Sequence, residues 1–301
     1  MALDPRTEAS ERLGGREVRV LEPSPPAVQE GPWFADDPVA PEGASGVVSP
    51  VSSGEVLWQD LVDRDPGLAE FCAERWLAAW TRLEPLPPRF ASTRASLHRV
   101  AEHVMKPARE RANGKFGLRY TRGGFGTPFY GGDEQLRVEG AALVYSHGAD
   151  ERRVPLTTLQ AAAQLAGVPG EDDETPLAVD AAASAALGSW YGFCCSVLEE
   201  LRVAAADPSR VQLWPEHFDI ALEAGAEEAG ARAACGGSPG DEEHAEPYLY
   251  VAPWSARPEG ERWNATAFPG AELSYAELLA ADDQRELALD FFCTRLDDLA
   301  A

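Results

Sequence analysis

The side chains best able to do chemistry crowd into one stretch, Val211 to Pro269. It opens on Trp-Pro-Glu-His-Phe-Asp (214–219), continues through Asp241, His244 and Glu246, and closes on Tyr248, Tyr250, Trp254, Trp263 and Asn264. Neutral imidazole beside carboxylate suits zinc, iron, manganese or nickel. His217, Asp219, Asp241, His244 and Glu246 are therefore the candidate ligands of a divalent metal, although their spacing matches no established metal motif. The same residues admit metal-free acid–base chemistry. His217 would then be the catalytic base or acid and Asp219 the carboxylate that orients it. Trp214, Trp254 and Trp263 would wall the pocket, and Tyr248, Tyr250 and Asn264 would complete its ligand-binding set. The plainer alternative makes His217 and Asp219 exposed strand residues and leaves Asp241 and His244 to turn contacts.

Strand geometry supports the clustering. Alternation from His217 puts His217, Asp219 and Ala221 on one face and Phe218, Ile220 and Leu222 on the other, which must be the core face. In the strand paired with it, if Leu249 and Val251 also face the core, Tyr248 and Tyr250 join His217 and Asp219. Pro215 limits pairing just before the strand.

Other familiar chemistries are poorly supported. Ser238 lies in a Gly-Gly-Ser-Pro-Gly turn, not in a nucleophile elbow. Gly123 to Pro128 follows a strand without a succeeding helix or a phosphate-loop lysine, and reads as a flexible hairpin loop able to cover a site. His98 and His103 are five residues apart, about 140° around a helix, so they cannot chelate one ion together and read as solvated or locally bonded. Cys194 and Cys195 sit in an apolar helical setting and read as packing residues. Cys235, among glycines, reads as the most exposed thiol.

The elements that must position these residues can be read in outline. Residues 1–54 hold eight of the 24 prolines and read as an irregular leader. Leu68, Cys72, Trp76, Trp80 and Leu83 make a helical stripe. A second helix starts near Ser96, with a kink at Pro107. Strands follow at 116–122, 135–139, 143–147 and 152–154, then a helix at 156–166 with Thr157 or Thr158 as its cap. A long helix runs from the N-cap Asp180 to about Ala206. Strands recur at 211–214, 217–223, 248–252 and 263–267, and helices at 274–280 and from Asp283. The fold class is α+β, with two antiparallel β-meander sheets and flanking helices. Each meander leads into a helix, which raises an internal duplication. Residues 55–206 would hold the helical part and first meander, and 207–301 the second meander with its C-terminal helix, the two forming one compact unit.

Composition bounds the partners. The net charge of -24 repels phosphate backbones and anionic lipid, so nucleic-acid and membrane roles are not expected. The N-terminus has no apolar signal-like run. Five cysteines, an odd number including an adjacent pair, suit free thiols in a reducing cytoplasm rather than a disulfide framework.

The segments Leu213–Ala221, Gly237–Asp241, Glu246–Val251 and Trp263–Ala271, with Gly124–Pro128 and Pro155–Leu159, resemble a family of uncharacterised actinobacterial proteins. The resemblance covers about residues 90 to 298. It implies one folded unit of bacterial cytoplasmic origin and assigns no catalytic residue. The expected function is a small-molecule or metal pocket around His217, Asp219 and His244, with an enzyme in view. The alternative is a non-catalytic module whose acidic and aromatic surface engages a protein partner. The pocket requires the two histidines to converge; the module requires them to diverge beside an exposed aromatic patch.

Overall fold

The computed structural model describes residues 82–301 apart from 122, 128–133, 148–149 and 256–259. The expected leader and the stripe from Leu68 to Trp80 lie outside the described residues. Leu83, the last member of that stripe, is buried in an extended segment rather than a helix.

The first helical run is α1 (Phe90–Val100), a π-helical turn (Ala101–Met105) and α2 (Lys106–Asn113). Pro107 falls in the first turn of α2, just after the π turn. A proline cannot donate to the preceding turn, and wider i→i−5 bonding absorbs that loss, so the run continues instead of breaking. Five strands follow: β1 (Arg119–Thr121), β2 (Gly124–Gly126), β3 (Glu134–Glu139), β4 (Ala142–His147) and β5 (Asp150–Pro155). They form an antiparallel meander in chain order. Next come α3 (Leu159–Ala166) and the long α4 (Ala181–Ala204). The second meander is β6 (Gln212–Trp214), β7 (Asp219–Ala224), β8 (Ala233–Ser238), β9 (Tyr248–Pro253) and β10 (Ala271–Ser274). Two helices close the chain, α5 (Tyr275–Ala280) and α6 (Gln284–Ala300).

The architecture is thus α+β with two five-stranded antiparallel sheets. The sheets touch edge to edge. Leu118, just before β1, and Leu213 in β6 exchange both backbone hydrogen bonds, at 2.6 and 2.9 Å. Helix α4 lies across this junction and packs on β1, β2, β7 and β8. Trp190, Tyr191, Phe193, Val197 and Leu198 on it are fully buried. Its length and apolar character would suffice to cross a bilayer, yet 72% of its apolar window is buried inside the protein, as befits a central core helix.

Local chemistry explains the helix boundaries. Asp180 accepts from the backbone N–H groups of Ala182 and Ala183 at 3.0 Å and starts α4. Thr158 caps α3, and Ser274 with Glu277 forms a capping box on α5. Asp180→Ala is expected to cost about 1 kcal/mol in chemical denaturation. An unchanged midpoint would remove the cap from the account.

Glycine sets how closely layers approach. A Cβ on Gly188 of α4 would lie 2.5 Å from the Gly123 carbonyl carbon, so the helix rests directly on the β1–β2 turn. This corrects the sequence reading of Gly123 to Pro128: Gly124–Gly126 is a buried strand, not a flexible covering loop. Cys235 is corrected likewise, being central in β8 and fully buried.

Candidate functional site

The second sheet has two unlike faces. Pairing registers place Ile220, Leu222, Cys235, Gly237, Leu249, Val251, Ala271 and Leu273 toward α4 and α6. The opposite, outer face carries Trp214, Asp219, Ala221, Glu223, Gly236, Ser238, Tyr248, Tyr250 and Glu272. Asp219, Tyr248 and Tyr250 share this face, as alternation required.

His217 does not. The strand begins at Asp219, and Phe218 before it has φ 59, in the left-handed region. That residue turns the chain, breaks the alternation, and leaves His217 exposed in the β6–β7 turn. Phe218 is held by its surroundings. Its ring stacks on His98 with centroids 5.0 Å apart and meets Phe125 and Tyr191 edge-on. Its backbone N–H donates to the Trp214 carbonyl at 2.6 Å, and its own carbonyl accepts from the Tyr191 hydroxyl at 2.6 Å. His98, expected to be solvated or locally bonded, instead places its Nε2 2.9 Å from the Pro215 carbonyl oxygen, and Lys106 pairs with Glu216 at 2.5 Å. The first helical run therefore clamps the Trp-Pro-Glu-His-Phe-Asp turn from outside the second meander.

Asp219 has the least ordinary environment on the outer face. Its side chain is 8% exposed. Tyr250 lies across Gly236, where a Cβ would come within 2.6 Å of the phenol oxygen, and donates its hydroxyl to Asp219 Oδ2. The other oxygen, Oδ1, is buried with no hydrogen-bond partner among the described residues. Burial pushes the Asp219 carboxyl above its usual range, against the Tyr250 hydrogen bond and the nearby His217, which favour the charged form. The Tyr250 phenol is pushed up too, first by burial and then by the Asp219 charge.

Four residues along the same strand and face stands Glu223, which the sequence reading did not single out. Burial raises its carboxyl to about 7, against the Trp254 indole and Arg232. Its Oε2 is buried and unpaired among the described residues. Arg232, 3% exposed, donates Nη1 to the carbonyls of Asp207 at 3.0 Å and Gly225 at 3.3 Å, pinning the β7–β8 hairpin. Its Nε and Nη2 are buried without a hydrogen-bond partner among the described residues. Trp254, half exposed, is stacked over the guanidinium at 5.2 Å.

The β8–β9 loop forms a separate cluster built around Asp241. Asp241 Oδ1 accepts from the backbone N–H of Glu243 at 2.8 Å and of His244 at 2.7 Å, and Oδ2 accepts from the Tyr248 hydroxyl at 2.9 Å. Burial opposes ionisation of Asp241, but these bonds outweigh it and hold the carboxyl below its ordinary value. His244 Nδ1 lies 3.1 Å from Asp241 Oδ1, and its Nε2 is 3.3 Å from Glu272 Oε2. Arg94 donates to the carbonyls of Asp241 at 3.0 Å and His244 at 3.3 Å, fixing the loop. The plainer expectation of turn contacts for Asp241 and His244 matches this arrangement.

Among the described residues, no group of three or more His, Cys, Asp or Glu side chains is placed to hold a metal ion. His217 points out from its turn, Asp219 is bound to Tyr250, Asp241 is spent on the loop, and Glu246 is exposed. The five expected ligands therefore do not assemble. His217 sits in the β6–β7 turn, and His244 is held in the β8–β9 loop by Asp241 and Glu272. The aromatic patch required by the interaction alternative does not form among the described residues, where Trp254 is the lone exposed large apolar side chain. Trp214 is half-buried against Phe116. Trp263 is buried. It does not start a strand. Asn264 instead pairs its side-chain amide with the Glu272 backbone, at 2.9 and 3.1 Å, and covers the edge of β10.

No known protein family, curated protein or solved structure compared with the chain matches it.

Proposed function

We propose that the outer face of the second sheet is a small-molecule site and that the protein is an enzyme using Glu223 and Asp219 as proton-exchanging carboxyls. One observation carries this reading. Three buried polar groups on one sheet face, Asp219 Oδ1, Glu223 Oε2 and the Nε–Nη2 edge of Arg232, lack hydrogen-bond partners among the described residues. Each such group costs about 1–3 kcal/mol when nothing satisfies it. Native structures keep few of them, and a cluster beside raised carboxyls is the pattern of a binding or catalytic site. A carboxyl titrating near 7 both gives and takes protons at neutral pH, as a general acid or base must. Tyr250 holds Asp219 in place, and Trp214 and Tyr248 supply aromatic walls. A cytoplasmic home belongs to this proposal, supported by Cys194, Cys195 and Cys235, which are buried as thiols.

A thermal-shift screen of polar metabolites against the wild type, Asp219→Asn and Glu223→Gln tests it. The expected result is a set of compounds that stabilise the wild type and lose most of that effect in either variant. Compounds acting equally on all three proteins would end the reading. A partner protein captured through Trp254, lost in Trp254→Ala while no metabolite acts, would favour the interaction module instead.

A further inference from the structure

We infer that the ligand of this face is a zwitterion of the α-amino-acid type, its carboxylate on the Nε–Nη2 edge of Arg232 and its ammonium group on Glu223. The inference rests on the small-molecule reading above and names its ligand class.

The Arg232 guanidinium is oriented from two sides. Nη1 is committed to two backbone carbonyls, and one flat face lies under the Trp254 indole. What remains is the edge formed by Nε–H and Nη2–H, both buried and without hydrogen-bond partners among the described residues. That edge presents two parallel donors, the geometry that matches a carboxylate. Glu223 presents the complementary need, a buried acceptor oxygen with no donor among the described residues. Glu223 faces Ala234 across the β7–β8 pair, and Arg232 lies two residues before Ala234. The two are thus diagonal neighbours, roughly 7–8 Å apart along the backbone. The Arg232 edge and Glu223 Oε2 do not satisfy one another, and a carboxylate and an ammonium carried on one carbon would satisfy both.

Other ligand charges fit less well. An anion would leave the Glu223 acceptor unmatched and would approach a chain of net charge -24. A cation would leave the Arg232 donors unmatched. The α-ammonium and α-carboxylate of an amino acid satisfy both, and as a pair they carry no net charge. Trp254, at the solvent side of the pair, must swing for it to enter. The ligand's own side chain would then run over Ala221 toward Tyr250 and Asp219, whose unpaired Oδ1 calls for a donor. Lysine or ornithine meets that requirement with a side-chain ammonium, an added positive charge that a chain of net charge -24 favours.

Isothermal titration of the full chain with L-lysine, L-ornithine and the other common amino acids tests the inference. Cadaverine, which is lysine without its carboxylate, and 6-aminohexanoate, which is lysine without its α-amine, serve as matched probes. Binding of a basic amino acid is expected, with both probes about tenfold weaker or worse. Glu223→Gln and Arg232→Lys should each weaken the amino acid by a similar factor. Trp254→Ala, at an exposed position, gives a second variant should Arg232→Lys fail to fold, and a several-fold loss is expected there. Equal binding of cadaverine or of 6-aminohexanoate overturns the inference, as does the absence of amino-acid binding. If screened metabolites bind in an Asp219-dependent way while no amino acid does, the zwitterion is wrong and the site stands. If nothing binds in an Asp219-dependent way, both fall.

Discussion

Phe218→Ala is expected to lower stability by about 3–5 kcal/mol, the cost of deleting a buried aromatic ring from a packed core. Phe218 is 1% exposed and sits where His98, Phe125 and Tyr191 meet, so its loss opens a cavity between the two meanders. The residue also has positive φ, a conformation costing a side-chain-bearing residue roughly 1 kcal/mol or more. Phe218→Ala loses the ring and keeps that strain. Phe218→Gly loses the ring and relieves it. Glycine should therefore be the milder substitution, reversing the usual order of the two residues in a strand or helix. Equilibrium denaturation of both variants checks this. If glycine is as damaging as alanine or worse, the turn is not strained and the ring alone sets the cost.

Phe218 also shows why part of the site was hidden from the sequence. Alternation from His217 is the natural extrapolation of Phe-Asp-Ile-Ala-Leu-Glu, and it holds from Asp219 onward. It fails one residue earlier because three aromatic partners and the clamp from His98 reward a left-handed Phe218. None of those contacts is local, so no window of sequence reveals them. The reading of Gly236-Gly237-Ser238-Pro239-Gly240 as a turn failed for a related reason. Only the Pro239–Gly240 end turns, and the first two glycines are strand residues. On one side Gly237 lets Cys194 approach, to within 2.4 Å of where a Cβ would sit; on the other Gly236 makes room for Tyr250. Glycine marks close approach as readily as it marks a turn. With β8 missed, β7 was set beside β9, and the reach of Tyr250 over an intervening strand could not be foreseen.

What was legible depended on local signals. Asp180 followed by a long apolar helical run identified α4, and the short helix read at 274–280 is α5. The two meanders with flanking helices followed from strand lengths and turn residues. Asp219 was found by strand parity, and Glu223 was within reach of the same parity argument, four residues on. Its significance, like that of Arg232, lies in what fails to contact it. An unsatisfied buried atom is a property of the folded chain alone.

Glu223→Gln should make the protein more stable at pH 8 and leave it unchanged near pH 4.5. The folded-state carboxyl titrates at about 7, against an ordinary value of 4.5, so the native chain holds a proton that the unfolded chain releases earlier. A carboxyl raised in this way contributes its full stability below about 4.5. That contribution is lost progressively as pH climbs to about 7, and the loss is constant above. The difference between those two values corresponds to at most about 3.4 kcal/mol, and partial exposure of Glu223 reduces this to about 2 kcal/mol. A glutamine amide cannot ionise, so the variant escapes the penalty and its denaturation midpoint should diverge upward from wild type between pH 4.5 and pH 7. Curves that keep a constant separation across that range would show Glu223 ionised throughout and would remove its proton-exchanging role. The expected divergence ties stability to function. An amino-acid ammonium on the charged Glu223 would recover part of the same free energy, so bound ligand should narrow the gap between the two proteins at pH 8. A stabilising substitution that weakens binding is what a site held under electrostatic strain predicts.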